Sequence, residues 1–298
     1  MSTKSNFLFD FLIGGVSASI GKTATAPIER VKLIIQNQKV IEVVNIKYKG
    51  MIDCFSQLIK KEGIISLWRG NVINLMRYFP TQAFNFAFKD TFKKLFSNNP
   101  IKNFNKFVMG NFLAGGLAGA LSMFILYPLD FGRTRLAVDN KNTEGNRRFT
   151  GSLSCFMQIL KKEGFTGIYK GFSIAVIEMF FYRGIYFGGY DTLKYLYFKK
   201  GTKIWFKWSV AQAVTLFSAL CVYPMDTVKR RLMIMSGEEK KQYNNVKSCF
   251  IDIYKSETFL GFYKGFGINA LRIFGASIIL ILYDEIQGIF GITARGGH

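Results

Sequence analysis

One hexapeptide pattern occurs three times in this chain, and it constrains the fold more than any other feature. Pro27-Ile28-Glu29-Arg30-Val31-Lys32 returns as Pro128-Leu129-Asp130-Phe131-Gly132-Arg133, and again as Pro224-Met225-Asp226-Thr227-Val228-Lys229. The prolines stand 101 and 96 residues apart, and each copy ends a mostly apolar run. A single copy is ordinary; three at a near-constant period mark a repeat protein. The 298 residues then divide into modules 1–100, 101–201 and 202–298, expected to form one body.

The chemistry of the pattern suggests its use. Proline removes a backbone donor and kinks a helix, so three kinked helices can lean together at one end. Acid and base lie three residues apart, on one helical face. Under threefold symmetry each acid reaches the base of another repeat: Glu29 to Arg133, Asp130 to Lys229, Asp226 to Lys32. Such a ring of ion pairs would close one mouth of a pathway. The plainer alternative is three surface pairs at ordinary helix ends.

Nearly half of the residues are hydrophobic, 31 of them Phe, yet the net charge is +21. A soluble chain this basic would be expected to bind nucleic acid. Here the basic residues punctuate apolar runs instead of forming a tail or stripe, which suits a membrane protein that handles anions and argues against nucleic acid. No cleavable signal peptide is expected, because the first apolar run continues into a long segment. The four Cys make no metal pattern. Cys54, Cys155 and Cys249 instead occupy matching places in the three repeats and read as free buried thiols.

Residues 7–37 predict a first helix, 38–51 a polar loop, and 52–62 a short amphipathic helix. Gly14 and Ala18, Gly115 and Gly119, and Ala211 and Thr215 hold the same offsets from their prolines, a small-xxx-small spacing that lets membrane helices approach closely. After each surface helix comes Glu62-Gly63 with Trp68-Arg69-Gly70, Glu163-Gly164 with Tyr169-Lys170-Gly171, or Glu257-Thr258 with Tyr263-Lys264-Gly265. Glycine would end the short helix. The aromatic-basic pair suits a membrane interface, with or without an anionic lipid headgroup beside it. The second helix of each repeat is expected over 72–97, 173–199 and 267–290. Near their ends stand Asp90 with Lys93, Asp191 with Lys194, and Asp284 with Gln287, a second acid-x-x-base set at the opposite face. Gln287 limits that ring to two full ion pairs, and Tyr190 and Tyr283 directly precede their acids. The predicted architecture is an all-α membrane protein: six transmembrane helices in three pairs, each pair with a short amphipathic surface helix. The spans are weakly apolar because each turns a polar face to a central cavity.

These residues resemble the mitochondrial carrier family over the whole chain. Thr25-Ala26-Pro27-Ile28-Glu29-Arg30-Val31-Lys32, the stretch from Arg77-Tyr78-Phe79-Pro80 through Lys89-Asp90, and Tyr127-Pro128-Leu129-Asp130-Phe131-Gly132-Arg133-Thr134-Arg135 are similar to its ADP/ATP carrier branch. The resemblance implies a monomeric inner-membrane antiporter of a mitochondrion or mitochondrion-derived organelle, without a cofactor, exchanging ADP and ATP and touching lipids such as cardiolipin. It places the proline ring on the matrix side, braced by Gln36, and the second ring on the cytoplasmic side. Lys22, Arg77 and Arg272 match phosphate-binding positions of such carriers. Tyr182, Arg183, Tyr186 and Phe187 match the aromatic and basic cluster of the fourth helix. Asn85 and Lys89 match cavity residues of the second helix, and Arg135 and Arg230 match basic residues just after the second and third rings. A cation inside an apolar run costs at least ~2.5 kcal/mol unless it meets water or a partner, and polyphosphate is such a partner.

Two departures stand out. Lys229-Arg230-Arg231-Leu232-Met233-Ile234 replaces the branch's Arg-Arg-Arg-Met-Met-Met but keeps its charge and bulk. Glu178-Met179 replaces glycine and a small aliphatic residue at midcavity, opposite Arg77-Tyr78 and Leu271-Arg272. The glutamate is expected beside the nucleotide base, unless it turns onto a neighbouring arginine. Four functions are therefore weighed: ADP/ATP exchange, carriage of guanine or a broader nucleotide range, a proton or fatty-acid leak through the same fold, and soluble nucleic-acid binding. No catalytic residue is expected, since the one His is at the tail and no nucleophile motif is visible.

Overall fold

A computed structural model describes residues 2–41, 48–96, 104–139, 147–198, 202–238, 243 and 245–275. Helices dominate, and no strand occurs among the described residues. Three long helices carry the motif prolines inside them: α1 (Ser2–Gln36), then α5 (Phe104–Val138) and α8 (Ile204–Met235). Between the first two lie a short α2 (Gln38–Ile41), the surface helix α3 (Met51–Glu62) and the return helix α4 (Asn71–Phe96). The second repeat continues with α6 (Ser152–Ile168) and α7 (Phe172–Tyr197). The third has α9 (Val246–Glu257) and a helix that opens at 266 and reaches the limit of the described residues at 275. Short 3-10 turns, Ile64–Trp68 and Phe259–Tyr263, join surface helix to return helix in the outer repeats.

One expected loop begins as a helix. Residues 38–41 form α2 because Val40 and Ile41 are apolar and dock beside Val228 and Leu232, with Val40 buried. Asn37 starts the turn: its side chain donates to the Leu33 carbonyl at 2.8 Å, and its own carbonyl accepts from the Val40 amide at 2.9 Å.

The modules are not independent. Around Cys54 pack Val31, Ile34 and Leu58 with Ile268 of the third repeat. Around Cys155 pack Tyr127, Phe131 and Ile159 with Met233, and around Cys249 pack Val228 and Phe262 with Leu33 and Val138. Every repeat therefore relies on a neighbour for part of its core.

Glycine sets the approach of α5 to α7. A Cβ at Gly115 would sit 2.8 Å from the Arg183 carbonyl, and one at Gly119 would sit 2.6 Å from Arg183 Cγ. Thus one of the predicted small-residue pairs lies where two helices meet without side chains between them. By length and composition, Phe104–Val138 and Trp205–Met235 are apolar enough to cross a membrane. The other long helices carry charges such as Lys22, Arg77 and Arg183, which line the cavity described next.

Candidate functional site

Near the motif prolines α1, α5 and α8 converge, and the structure brings each acid of the hexapeptides beside the base of another repeat. Arg133 donates to Glu29. Lys32 Nζ is 3.1 Å from Asp226 Oδ2, and Lys229 Nζ is 3.7 Å from Asp130 Oδ2. Gln36 lies beneath the Lys32–Asp226 pair and donates to Asp226 at 3.1 Å and to Thr227 Oγ1 at 2.9 Å. Asp130, Lys229, Asp226 and Lys32 are all buried. Breaking such a buried pair from one side costs about 3–5 kcal/mol, so the ring is a cohesive plug.

Each ring acid also has a second basic partner. Arg77 Nη1 is 3.1 Å from Asp130 Oδ1, and Arg272 Nη1 is 3.2 Å from Glu29 Oε1. Arg230 Nε is 2.8 Å from Asp226 Oδ1, one turn along the same helix. The two midcavity arginines therefore reach from the return helices down to the ring. Glu178, expected beside a base or on an arginine, instead places Oε2 2.6 Å from Lys229 Nζ.

Above the ring opens a cavity of about 490 Å³. Lys22, Arg77, Tyr182, Arg183 and Arg272 line it, and Glu178 and Met179 form part of its wall. Eight cationic side chains face four carboxylates around it. That surplus of positive charge in a confined space favours an anionic occupant. Along α7, Tyr182, Tyr186 and Tyr190 stack in turn at 6.4 and 6.3 Å between centroids, and Arg183 lies 5.7 Å from the Phe187 ring. These rings offer flat apolar faces leading away from the cations. Arg135 turns elsewhere: it donates to the Ile234 carbonyl and pairs with Glu238 at 3.1 Å.

Of the second acid-x-x-base set, Asp191 is half-buried and Lys194 exposed near the far end of α7. The side chains of Asn85, Lys89, Asp90 and Lys93 on α4, together with Tyr283, Asp284 and Gln287, lie outside the described residues.

Two features of the ring's surroundings escape a reading of the sequence. The glycine of each aromatic-basic-Gly triplet backs onto the ring base of another repeat. A Cβ on Gly70 would lie 3.1 Å from the Arg133 carbonyl, one on Gly171 3.3 Å from that of Lys229, and one on Gly265 3.5 Å from that of Lys32. With φ of 84°, 82° and 81° these positions also favour glycine. The repetition of the triplet was the available signal; its partner lies a full repeat away. The second feature is a set of ion pairs outside the ring. Glu62 holds Arg30 at 2.8 Å and Arg147 at 3.1 Å, and Glu257 holds Arg231 and Lys264. The Arg30 and Arg231 pairs clamp α3 to α1 and α9 to α8. Within the surface helices, burial pushes the Cys54 and Cys249 thiols up to about 12 and that of Cys155 to about 11. All three are thus protonated and unreactive at neutral pH.

Three repeated helix pairs around a cation-lined cavity, plugged at one end by inter-repeat ion pairs, define a membrane transport protein. Residues 3–100, 104–201 and 202–293 each match the mitochondrial carrier protein profile, and the chain belongs to that family. It is 45% identical over 98% of its length to the mitochondrial substrate carrier family protein ancA of Dictyostelium discoideum, covering 96% of that protein. It is 46% identical over 98% of its length to ADP/ATP translocase 4 of Homo sapiens, covering 94% of that chain. An ADP,ATP carrier protein of Parachlorella kessleri is 46% identical, with 94% of this chain and 84% of the relative covered.

Proposed function

We propose that this protein is a monomeric antiporter of the mitochondrial inner membrane that exchanges ADP for ATP by alternating access. The observation that carries this reading is the cavity. Lys22, Arg77, Arg183 and Arg272 converge above a closed ring, with a tyrosine ladder beside them. The cations suit a polyphosphate, which arginine grips bidentately, and the rings suit the flat base. The names of the relatives, ADP/ATP translocase and ADP,ATP carrier protein, support the same cargo.

In this reading the proline ring is the matrix gate, with Glu29, Lys32, Asp130, Arg133, Asp226 and Lys229 as its charges and Gln36 as its brace. The set Asp90–Lys93, Asp191–Lys194 and Asp284–Gln287, with Tyr190 and Tyr283, is the cytoplasmic gate. Asn85, Lys89 and Arg230 belong with the substrate contacts. Phosphate oxygens would compete with Asp130 for Arg77 and with Glu29 for Arg272, so filling the cavity weakens the ring. Each charge-assisted contact is worth about 1.5–3 kcal/mol, so a few of them meet the cost of loosening one gate. No covalent step is needed. Lipids with anionic headgroups, cardiolipin among them, would sit at the surface-helix ends.

Proteoliposomes loaded with unlabelled nucleotide test the reading. Labelled ADP should enter only against internal ADP or ATP, and excess ATP should compete. Equal uptake into empty vesicles would overturn exchange, and proton conductance without any nucleotide uptake would favour the leak. Stronger competition by GDP than by ADP would favour the guanine or broad-range alternative, for which Glu178 in the cavity wall is the motive.

A further inference from the structure

Lys229 is surrounded by three carboxylates, and its shortest contact is not with its partner in the ring. Asp130 lies 3.7 Å away and Asp226 3.4 Å, whereas Glu178 is at 2.6 Å. Both ends are shielded, with Lys229 4% and Glu178 12% exposed. At the equivalent position the first repeat has Arg77, which holds Asp130, and the third has Leu271, whose neighbour Arg272 holds Glu29. Only the second repeat offers an acid, and it holds a ring base. Relative to Arg77, the polarity at this position is reversed.

The consequence lies in what a cargo can undo. An anionic occupant competes for Arg77 and Arg272, because it replaces the carboxylates they hold. It cannot replace Glu178 on Lys229 in the same way, since Lys229 keeps Asp130 and Asp226 beside it. Moving Lys229 off Glu178 would leave a buried carboxylate among negative neighbours, which is costly. Glu178 is on α7 and Lys229 on α8, so this contact spans the same seam between second and third repeats that Asp130–Lys229 closes from α5.

We propose that Glu178 is a latch on the matrix gate: acting through Lys229, it biases the carrier toward the state closed on the matrix side. This rests on reading the proline ring as that gate. It assigns Glu178 to the gate and not to the base, in contrast to what its place in the sequence suggests. Glu178 is a positioning residue and touches Lys229.

The test reads gate position without any nucleotide. Ala219 lines the cavity on α8. An Ala219→Cys reporter, with the exposed Cys221 changed to serine, is labelled by a membrane-impermeant maleimide in inverted inner-membrane vesicles, where the ring side faces out. Glu178→Gln should raise the labelling rate about tenfold, the change that follows when about 1.4 kcal/mol of net bias toward the closed state is lost, Lys229 keeping its two aspartates. In a Lys229→Gln background the same substitution should add nothing further. The ADP-to-GDP ratio of inhibition constants should stay the same. An unchanged labelling rate overturns the latch, as does an equal gain without Lys229. A changed nucleotide ratio with unchanged labelling would return Glu178 to the base. Should Glu178→Gln fail to insert, Glu178→Asp keeps the charge but shortens the reach and carries the same outcomes. Wild-type uptake assays report separately on exchange itself, so a wrong cargo and a wrong latch give different results.

Discussion

Arg77 and Arg272 each present one guanidinium to two demands, a ring acid below and the cavity above. In the closed ring Arg77 holds Asp130 and Arg272 holds Glu29, yet neither acid depends on it alone, because Lys229 and Arg133 also serve them. Removal of either arginine should therefore spare the fold and remove the cargo's grip. Arg77→Ala or Arg272→Ala is expected to abolish nucleotide exchange while inserted protein and melting temperature stay near wild type. Wild-type uptake in either variant would remove it from the phosphate contacts. Thr258 shows a different economy. Gly63 ends α3 at φ 85° and Gly164 breaks α6 at φ 66°, both with extended ψ, and Thr258 adopts the same backbone at φ 61°. A β-branched residue held there costs about 1–3 kcal/mol, whereas glycine adopts it freely. Thr258→Gly should raise the melting temperature with exchange unchanged; a drop would mean that the threonine side chain contributes more than its backbone strain costs.

Among the described elements, α5 and α7 meet at glycines that leave no room for a side chain. Gly115→Val would drive its Cβ to within 2.8 Å of a backbone carbonyl and of the Phe187 ring. Backbone cannot rotate away as a flexible side chain can, so overpacking should cost about 1–3 kcal/mol. The expected result is a lower melting temperature, with Gly115→Ala in between, and an unchanged melt for the valine variant would contradict the packing described. Much at this scale was legible in advance. The expected return helix at 72–97 is found as Asn71–Phe96, and the expected surface helix at 52–62 as Met51–Glu62, because proline, glycine and apolar period are local signals. Residues 38–41, expected as loop, are helical because they dock against α8 and not because of their own propensity. The approach of Gly70, Gly171 and Gly265 to the ring carbonyls was not readable for the same reason. Those contacts join residues a repeat apart and depend on helix tilt. The threefold pattern gave the ring's partners by symmetry, but Glu178 breaks that symmetry, and its grip on Lys229 could be found only from distances.

Across the whole molecule the ring is a circuit in which no pair stands alone. Asp226 receives Lys32, Gln36, Arg230 and Lys229 within 3.4 Å, so it carries more of the seam than the hexapeptide pattern suggests. Asp226→Lys alone would set an ammonium among Lys32, Lys229 and Arg230, and Lys32→Asp alone would set its carboxylate against that of Asp226. Each single change is expected to abolish exchange. The double change, Asp226→Lys with Lys32→Asp, restores an ion pair of reversed sense between α1 and α8. It does not remove the repulsion of the new lysine by Lys229 and Arg230, which at these separations stays substantial even when screened. Recovery should therefore be partial: exchange clearly above both singles and well below wild type, measured as initial uptake of labelled ADP into preloaded vesicles. A double swap no better than either single change would mean that Lys32 and Asp226 do not act on transport as a pair, whatever their distance in the closed state.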